Sequence, residues 1–281
     1  MHGQFSLNLV HDFGGDGTLI HLAHANGFPP ATYKPFVENF TDLYHVIGLP
    51  ARPLWPDSQP SDAPNWHILA DDLIQGLNAL DLENTIGVGH SMGGTYTMLA
   101  AIRYPSLFSK LVLIDPVILP PTRLRVLKWM RRLGLGKRQP LVQGALYRRR
   151  TWPSYEACYN HWRSKTFFKN WPDESLWAYV NAGIIEHEDG QVGLVYSPEW
   201  EAHIFATPPT DIWDYVPQLS IHTMVIRGEF TNVFTLESQK RMKSLLPKVK
   251  FHVIPDAGHL IPMERPNEVS GIIREFLDEV L

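Results

Sequence analysis

Gly89-His90-Ser91-Met92-Gly93 decides how this chain is read. Upstream lies an apolar, β-prone run, Thr85-Ile86-Gly87-Val88. Downstream, Gly94-Thr95-Tyr96-Thr97-Met98-Leu99-Ala100-Ala101-Ile102 reads as a helix. A serine flanked by glycines two residues away on either side, with strand before and helix after, is the context of a nucleophile elbow. There the serine sits on a strained strand-to-helix turn, and the glycines let backbone pass close to it. The helix N-terminus then points free N–H groups and the positive end of its dipole at the serine. The alternative is a glycine-rich turn with an ordinary serine, and the flanking elements argue against it.

Outward from the elbow, short β-rich runs alternate with helical patterns. Residues 18–23 and 43–49 read as strands, with a proline-rich loop after the second. Leu69, Leu73, Leu77 and Leu80 carry helical spacing across residues 66–80. Strands follow at 110–115, 223–228 and 250–254, and helices at 235–246 and 266–280. Such alternation predicts a parallel sheet covered by helices on both faces. The alternation stops at Pro116. The expected division is therefore a core of residues 1–115 and 217–281, with residues 116–216 as an inserted, mainly helical cap. That insertion is rich in tryptophan, from Trp129 to Trp213, which either lines an apolar pocket or forms the cap's own core.

With 281 residues, 44% hydrophobic and 19% charged, the chain has ordinary globular composition and suffices for one large α/β domain with an insertion. No apolar run approaches the roughly 20 residues of a membrane span. The stretch Met1-His2-Gly3-Gln4-Phe5-Ser6 lacks the charged start and apolar core of a secretory leader. Cys158 is the only cysteine, so no intramolecular disulfide can form. A cytoplasmic location is the expectation. The Gly14-Gly15-Asp16-Gly17 stretch reads as a hairpin turn, and 186–190 as a solvated turn. No metal or nucleotide site stands out, no cofactor is expected, and the expected partner is a small-molecule substrate.

Charge is unevenly spread. Residues 116–155 hold ten lysines and arginines and no acid, so this segment is +10 and the remainder −14. If 122–134 is helical, Val126, Leu127, Trp129, Met130 and Leu133 share one face, and Arg125, Lys128, Arg131 and Arg132 the other. The expected use is a helix covering the pocket, with Trp129 toward the substrate and the basic face in solvent. Docking at an anionic membrane surface and attraction of an anionic substrate are alternatives. No nucleic-acid reading motif accompanies the charge.

A serine nucleophile needs a base, an orienting acid and an oxyanion hole. His259, in Asp256-Ala257-Gly258-His259 directly after the last strand, is the candidate base. His90 is adjacent to Ser91, but neighbours on a sharp turn point apart, so its role is at most supporting. Met92 N–H is one expected oxyanion donor. The other is Phe28 N–H, on the loop His24-Ala25-Asn26-Gly27-Phe28-Pro29, where Gly27 permits close approach and Pro29 cannot donate. Asn26, Gly27 and His90 join Trp129 as candidate substrate contacts.

Taken together, Asn26-Gly27-Phe28-Pro29, the elbow, Leu113-Ile114-Asp115-Pro116 and Ala257-Gly258-His259-Leu260-Ile261-Pro262-Met263-Glu264-Arg265-Pro266 resemble the α/β-hydrolase superfamily, in its esterase-like and epoxide-hydrolase-like branch. The resemblance spans 18–115 and 223–280 and implies a mostly parallel eight-stranded sheet. Serine at 91, rather than aspartate, speaks against epoxide and haloalkane hydrolysis. Members commonly carry the triad acid after the strand at 223–228, in a pattern resembling Gly-Glu-x-Ser-Asp-Val. This chain reads Gly228-Glu229-Phe230-Thr231-Asn232-Val233, with an amide in the acid's place. An amide can orient a histidine but cannot stabilise an imidazolium by charge. Asp115 ranks first as the acid, Asn232 second and Glu229 third.

The resulting expectation is a serine hydrolase acting on a mostly apolar carboxylic ester or thioester through an acyl-enzyme. A C–C bond hydrolase or cofactor-free perhydrolase using the same site is the first alternative. A non-catalytic binding or scaffold protein on this fold, weakened at Asn232, is the second.

Overall fold

The structure, a computed structural model, describes residues 6–279. The stretch read for a leader, residues 1–5, and residue 280 of the expected last helix lie outside them. Seven strands form the central sheet: β1 (His11–Gly14), β2 (Thr18–Ala23), β3 (Tyr44–Gly48), β4 (Thr85–His90), β5 (Phe108–Ile114), and beyond the insertion His222–Gly228 and Lys250–Ile254. Within the insertion lie β6 (Thr151–Trp152), β7 (Ile184–Glu186) and β8 (Val192–Leu194), so the last two strands of the central sheet are β9 and β10. The central order is β1-β3-β2-β4-β5-β9-β10. All neighbours pair in parallel except β1 with β3. The expectation of eight strands is corrected to seven among the described residues.

The hairpin reading of Gly14-Gly15-Asp16-Gly17 is also corrected. The turn leads from β1 to β2, but β1 pairs with β3, His11 opposite Gly48. The chain skips a strand because β2 is taken on both sides by β3 and β4. By contrast, 187–191 does close a hairpin between β7 and β8, with His187 N–H on Gln191 O at 2.8 Å.

Strand residues alternate between two cores, as a sheet covered on both faces requires. Leu111 and Leu113 of β5 join Val225 on one side, while Val112 and Ile114 join Met224 and Ile226 on the other. The first side is closed by His67–Ala79 through Leu69, Leu73 and Leu77, and by Met92–Arg103 through Met98 and Leu99. The second is closed by Phe36, Val37 and the helix Pro266–Leu277 through Val269, Ile273 and Phe276. The strand order reverses between β2 and β4, and the crevice beyond the strand ends at such a switch is where open α/β sheets bind ligands. Both the Asn26–Gly27 loop and the elbow leave the sheet there.

Between β5 and β9 the chain leaves the sheet for helices Pro121–Arg132, Pro140–Leu146, Tyr155–Arg163, Asp173–Gly183, Pro198–Ala206 and Ile212–Tyr215. To these it adds the small antiparallel sheet β6-β8-β7, which the mainly helical expectation omitted. Trp162, Phe168, Trp171 and Tyr179 pack ring on ring in this segment. Tyr179 in turn contacts Phe28, the rings tilted with centroids 4.9 Å apart. These aromatics form a core of the insertion and at the same time fix it to the loop after β2.

Helix Pro121–Arg132 departs from its expected orientation. Leu124 is its buried residue, and Arg131 turns inward, donating to Ala206 O at 2.9 Å and Pro208 O at 2.7 Å. Val126, Trp129 and Leu133 face solvent, with Trp129 62% exposed. The last carbonyl of helix Pro198–Ala206 and that of Pro208 just beyond it favour the Arg131 cation, and with Leu124 and Leu127 packed on the core they hold the inner side of the helix.

Candidate active site

Ser91 has φ +56° and ψ −118°, a left-handed conformation rare for a residue with a Cβ. The turn is held by Ser91 N–H on Ile114 O at 2.9 Å and by Thr95 N–H on Ser91 O at 3.2 Å. It closes only because its flanks are glycine. A Cβ on Gly93 would lie 2.1 Å from Ala23 O, and one on Gly89 would lie 2.7 Å from Gly93 C. The chain then enters Met92–Arg103, so Met92 N–H is among the first-turn donors that lack an intrahelical acceptor.

His259 Nε2 accepts from the Ser91 hydroxyl at 2.9 Å. On its other side, His259 Nδ1 donates to Asp115 Oδ2. Asp115 follows β5 at φ +42° and is fully buried. Its Oδ2 also accepts from the Thr231 hydroxyl at 2.5 Å, while Oδ1 is buried with no partner. Burial raises the carboxyl above its ordinary value; the His259 charge, the bonds from His259 and Thr231 and the Arg227 charge oppose that rise. Arg227 itself is buried and braces the loop after β9, donating to Phe234 O at 3.1 Å and Glu229 O at 3.0 Å.

The two other candidate acids lie elsewhere. Asn232 is exposed, and its carbonyl accepts from Arg123 at 2.6 Å. Glu229 is exposed and accepts from Asp256 N–H at 3.1 Å, tying the turn before His259. Thr231 is the contact that the sequence reading missed. Its signal was present: the hydroxyl position of the Ser-Asp pattern is kept as Thr231 while the acid position is Asn232.

His90 is corrected from a substrate contact to a brace. It is fully buried, and both ring nitrogens are engaged. Its Nε2–H donates to His259 O at 3.0 Å, so its Nδ1 accepts from the Tyr33 hydroxyl at 2.8 Å. The Tyr33 oxygen in turn accepts from Ala25 N–H at 2.9 Å. The chain Ala25–Tyr33–His90–His259 thus joins the loop after β2 to the loop after β10. Burial, reinforced by the nearby His259 charge, lowers the His90 pKa to about 3 and keeps the ring neutral. Tyr33 lies 57 positions from His90, and nothing local announces the contact.

Phe28, the expected second oxyanion donor, has a backbone partner in its own loop. Its N–H donates to Ala25 O at 3.2 Å, closing a turn in which Gly27 takes φ +82°. The Phe28 donor is therefore engaged rather than free. Asn26 Nδ2 donates to Glu201 O at 3.0 Å, while its Oδ1 is buried without a partner. Glu201 lies over Gly27, where a Cβ would meet Oε1 at 3.2 Å, and is paired with Arg148 at 2.6 Å. Trp129, out in solvent, belongs to no contact described at this site. Cys158 is buried, its thiol pushed up to about 12 mainly by burial. No cluster of three or more metal-ligating side chains occurs among the described residues.

Fold and site together define an α/β hydrolase. The family profile described as alpha/beta hydrolase fold matches residues 44–266, and the chain belongs to that family. Among curated relatives, the chain is 26% identical over 230 residues to Abhydrolase domain-containing protein ACTT2-1 of Alternaria alternata, covering 69% of this chain and 83% of the relative. Among solved structures, it superposes on E-2-(acetamidomethylene)succinate hydrolase with TM-score 0.77 at 20% identity, covering 96% and 94% of the two chains; that likeness is one of fold. It is 28% identical to a malate-bound thermophilic esterase from Thermogutta terrifontis, with TM-score 0.65 and coverage of 95% and 92%.

Proposed function

We propose that the protein is a serine hydrolase that cleaves a mostly apolar carboxylic ester or thioester through an acyl-enzyme intermediate. The observation that carries this reading is the continuous line Ser91 Oγ–His259–Asp115, with 2.9 Å between Ser91 Oγ and His259 Nε2. Ser91 attacks the carbonyl as His259 takes its proton. Asp115 holds the Nδ1–H and stabilises the imidazolium by charge. Met92 N–H receives the oxyanion, a contact worth about 3 kcal/mol in comparable sites. Phe28 N–H joins as a donor shared with Ala25 O, a three-centre arrangement. His259 then returns the proton to the leaving alcohol or thiol, and water releases the acyl group by the same steps.

Residues 116–216 act as the cap in this reading. The Phe28–Tyr179 ring contact supports that role, because it ties the insertion to the loop after β2. The esterase among the neighbours supports ester chemistry. The Asp115 carboxylate on His259 supports this reading over a non-catalytic scaffold weakened at Asn232.

A fluorophosphonate probe with a p-nitrophenyl ester assay tests the proposal. Wild-type protein is expected to be labelled at Ser91 and to turn over short acyl esters. Ser91→Ala, folded by circular dichroism, is expected to do neither. Turnover retained in that variant removes Ser91 from the mechanism.

A further inference from the structure

We propose that helix Pro121–Arg132 docks the protein on an anionic lipid surface. Its outward face combines two stripes. At about 100° per residue, Val126, Trp129 and Leu133 fall within about 60° of one another, and Arg125, Arg132 and Lys128 lie directly beside them. All six are exposed. An amphipathic helix that only covers a core buries its apolar stripe. This one is held from behind by Leu124 and the Arg131 guanidinium, leaving an aromatic and two aliphatic side chains in water beside cations. Low overall hydrophobicity, a tryptophan on the apolar side and basic residues alongside are the makings of a helix that lies in the membrane interface.

Charge selects the occupant. No acidic residue occurs from 116 to 155, and the rest of the chain is −14. An anionic surface therefore attracts this face and repels the remainder, which orients the molecule as well as binding it. In ion pairs among the described residues, this stretch engages only Arg148 with Glu201 and Arg150 with Glu199. Asp211 and Asp214 line a crevice with Arg125 and Lys128, at the inner edge of the helix. Asp211 is also paired with His67 at 3.1 Å. Lys137 and Arg138 follow the helix and are exposed. No helix of the described residues is long and apolar enough to cross a membrane, so the contact is one of lying on the surface.

Co-sedimentation with vesicles of mixed phosphatidylserine and phosphatidylcholine tests this, with pure phosphatidylcholine as control. Wild-type protein is expected to sediment with the mixed vesicles, less so as salt rises, and to remain free of the neutral ones. Each cation removed should weaken binding about fivefold, so Arg125→Glu with Arg132→Glu should abolish it. Val126→Ser with Leu133→Ser should weaken it at least tenfold at unchanged charge. Turnover of a soluble ester should be unaltered in both variants, which separates this test from that of Ser91. Failure of the wild type to sediment with anionic vesicles at low salt overturns the proposal, as does equal binding to neutral ones. Concentration-dependent self-association lost with the same substitutions would assign the face to a second copy of the chain instead.

Discussion

Thr231 donates its hydroxyl to Asp115 Oδ2 at 2.5 Å, joining the loop after β9 to the end of β5. The same carboxylate oxygen receives His259 Nδ1. The loop where an acid was expected thus contributes a hydroxyl that holds an acid supplied by the neighbouring strand.

Asp115→Asn should lower kcat by roughly 10²–10⁴, the scale of an amide-for-acid change beside a catalytic histidine. Thr231→Val should lower it about tenfold with KM little changed, the value of one hydrogen bond to a charged group. Asn232→Ala and Asn232→Asp should both stay within about twofold of wild type, because that side chain is exposed and its residue contacts Arg123 through the carbonyl. Steady-state kinetics on folded variants decide. A large loss in Asn232→Ala with normal Asp115→Asn would reverse the assignment.

His90→Ala and Tyr33→Phe should each lower stability and kcat, and their effects should be strongly non-additive. The two side chains are links of one buried chain from Ala25 to His259. Tyr33→Phe leaves Ala25 N–H buried without its acceptor, at a cost of about 1–3 kcal/mol. A double-mutant cycle in urea provides the measurement. Simple additivity would show that the chain does not act as a unit.

Gly93→Ala should be among the most damaging single-methyl changes. The added carbon would lie 2.1 Å from Ala23 O, a backbone atom of β2. The elbow helix must retreat from the sheet, taking Met92 N–H with it. A fall in Tm together with a loss of turnover is expected, while Gly144→Ala, where nothing lies within 4 Å, should be tolerated. Comparable Tm values for the two would contradict the close approach.

Stability should fall between pH 6.5 and pH 5. Burial is the leading cause that lowers His21 and His90 to about 3 and His24 to about 4. Unfolded histidine titrates near ~6.5. The unfolded chain therefore binds more protons in this window, so the contribution is complete above it and is lost as pH falls toward the folded values. Each group loses about 2 kcal/mol of its contribution by pH 5. The buried carboxyls of Asp72 and Asp115 are raised mainly by burial and act in the opposite direction as they protonate. A Tm that stays level from pH 7 to pH 5 would refute the histidine argument.

By itself the sequence determined what is local. Strands read at 18–23, 85–89 and 223–228, the helices that cover them and the elbow all follow from apolar spacing and turn chemistry within a few residues, and the structure has strands there. Tertiary structure decided what depends on residues far apart. His259 and Asp115 are 144 positions apart, and which acid reaches the imidazole depends on β5 lying beside β9. The Phe28 donor looked free until the turn brought Ala25 O onto it. Helix Pro121–Arg132 shows the same limit. Its pattern told which residues share a face, but the contacts of Leu124 with the core and of Arg131 with the Ala206 and Pro208 carbonyls, all remote in sequence, go with the face that turned inward. Periodicity is a property of one segment, whereas a docking direction is a free-energy difference between two, and only the assembled chain contains both.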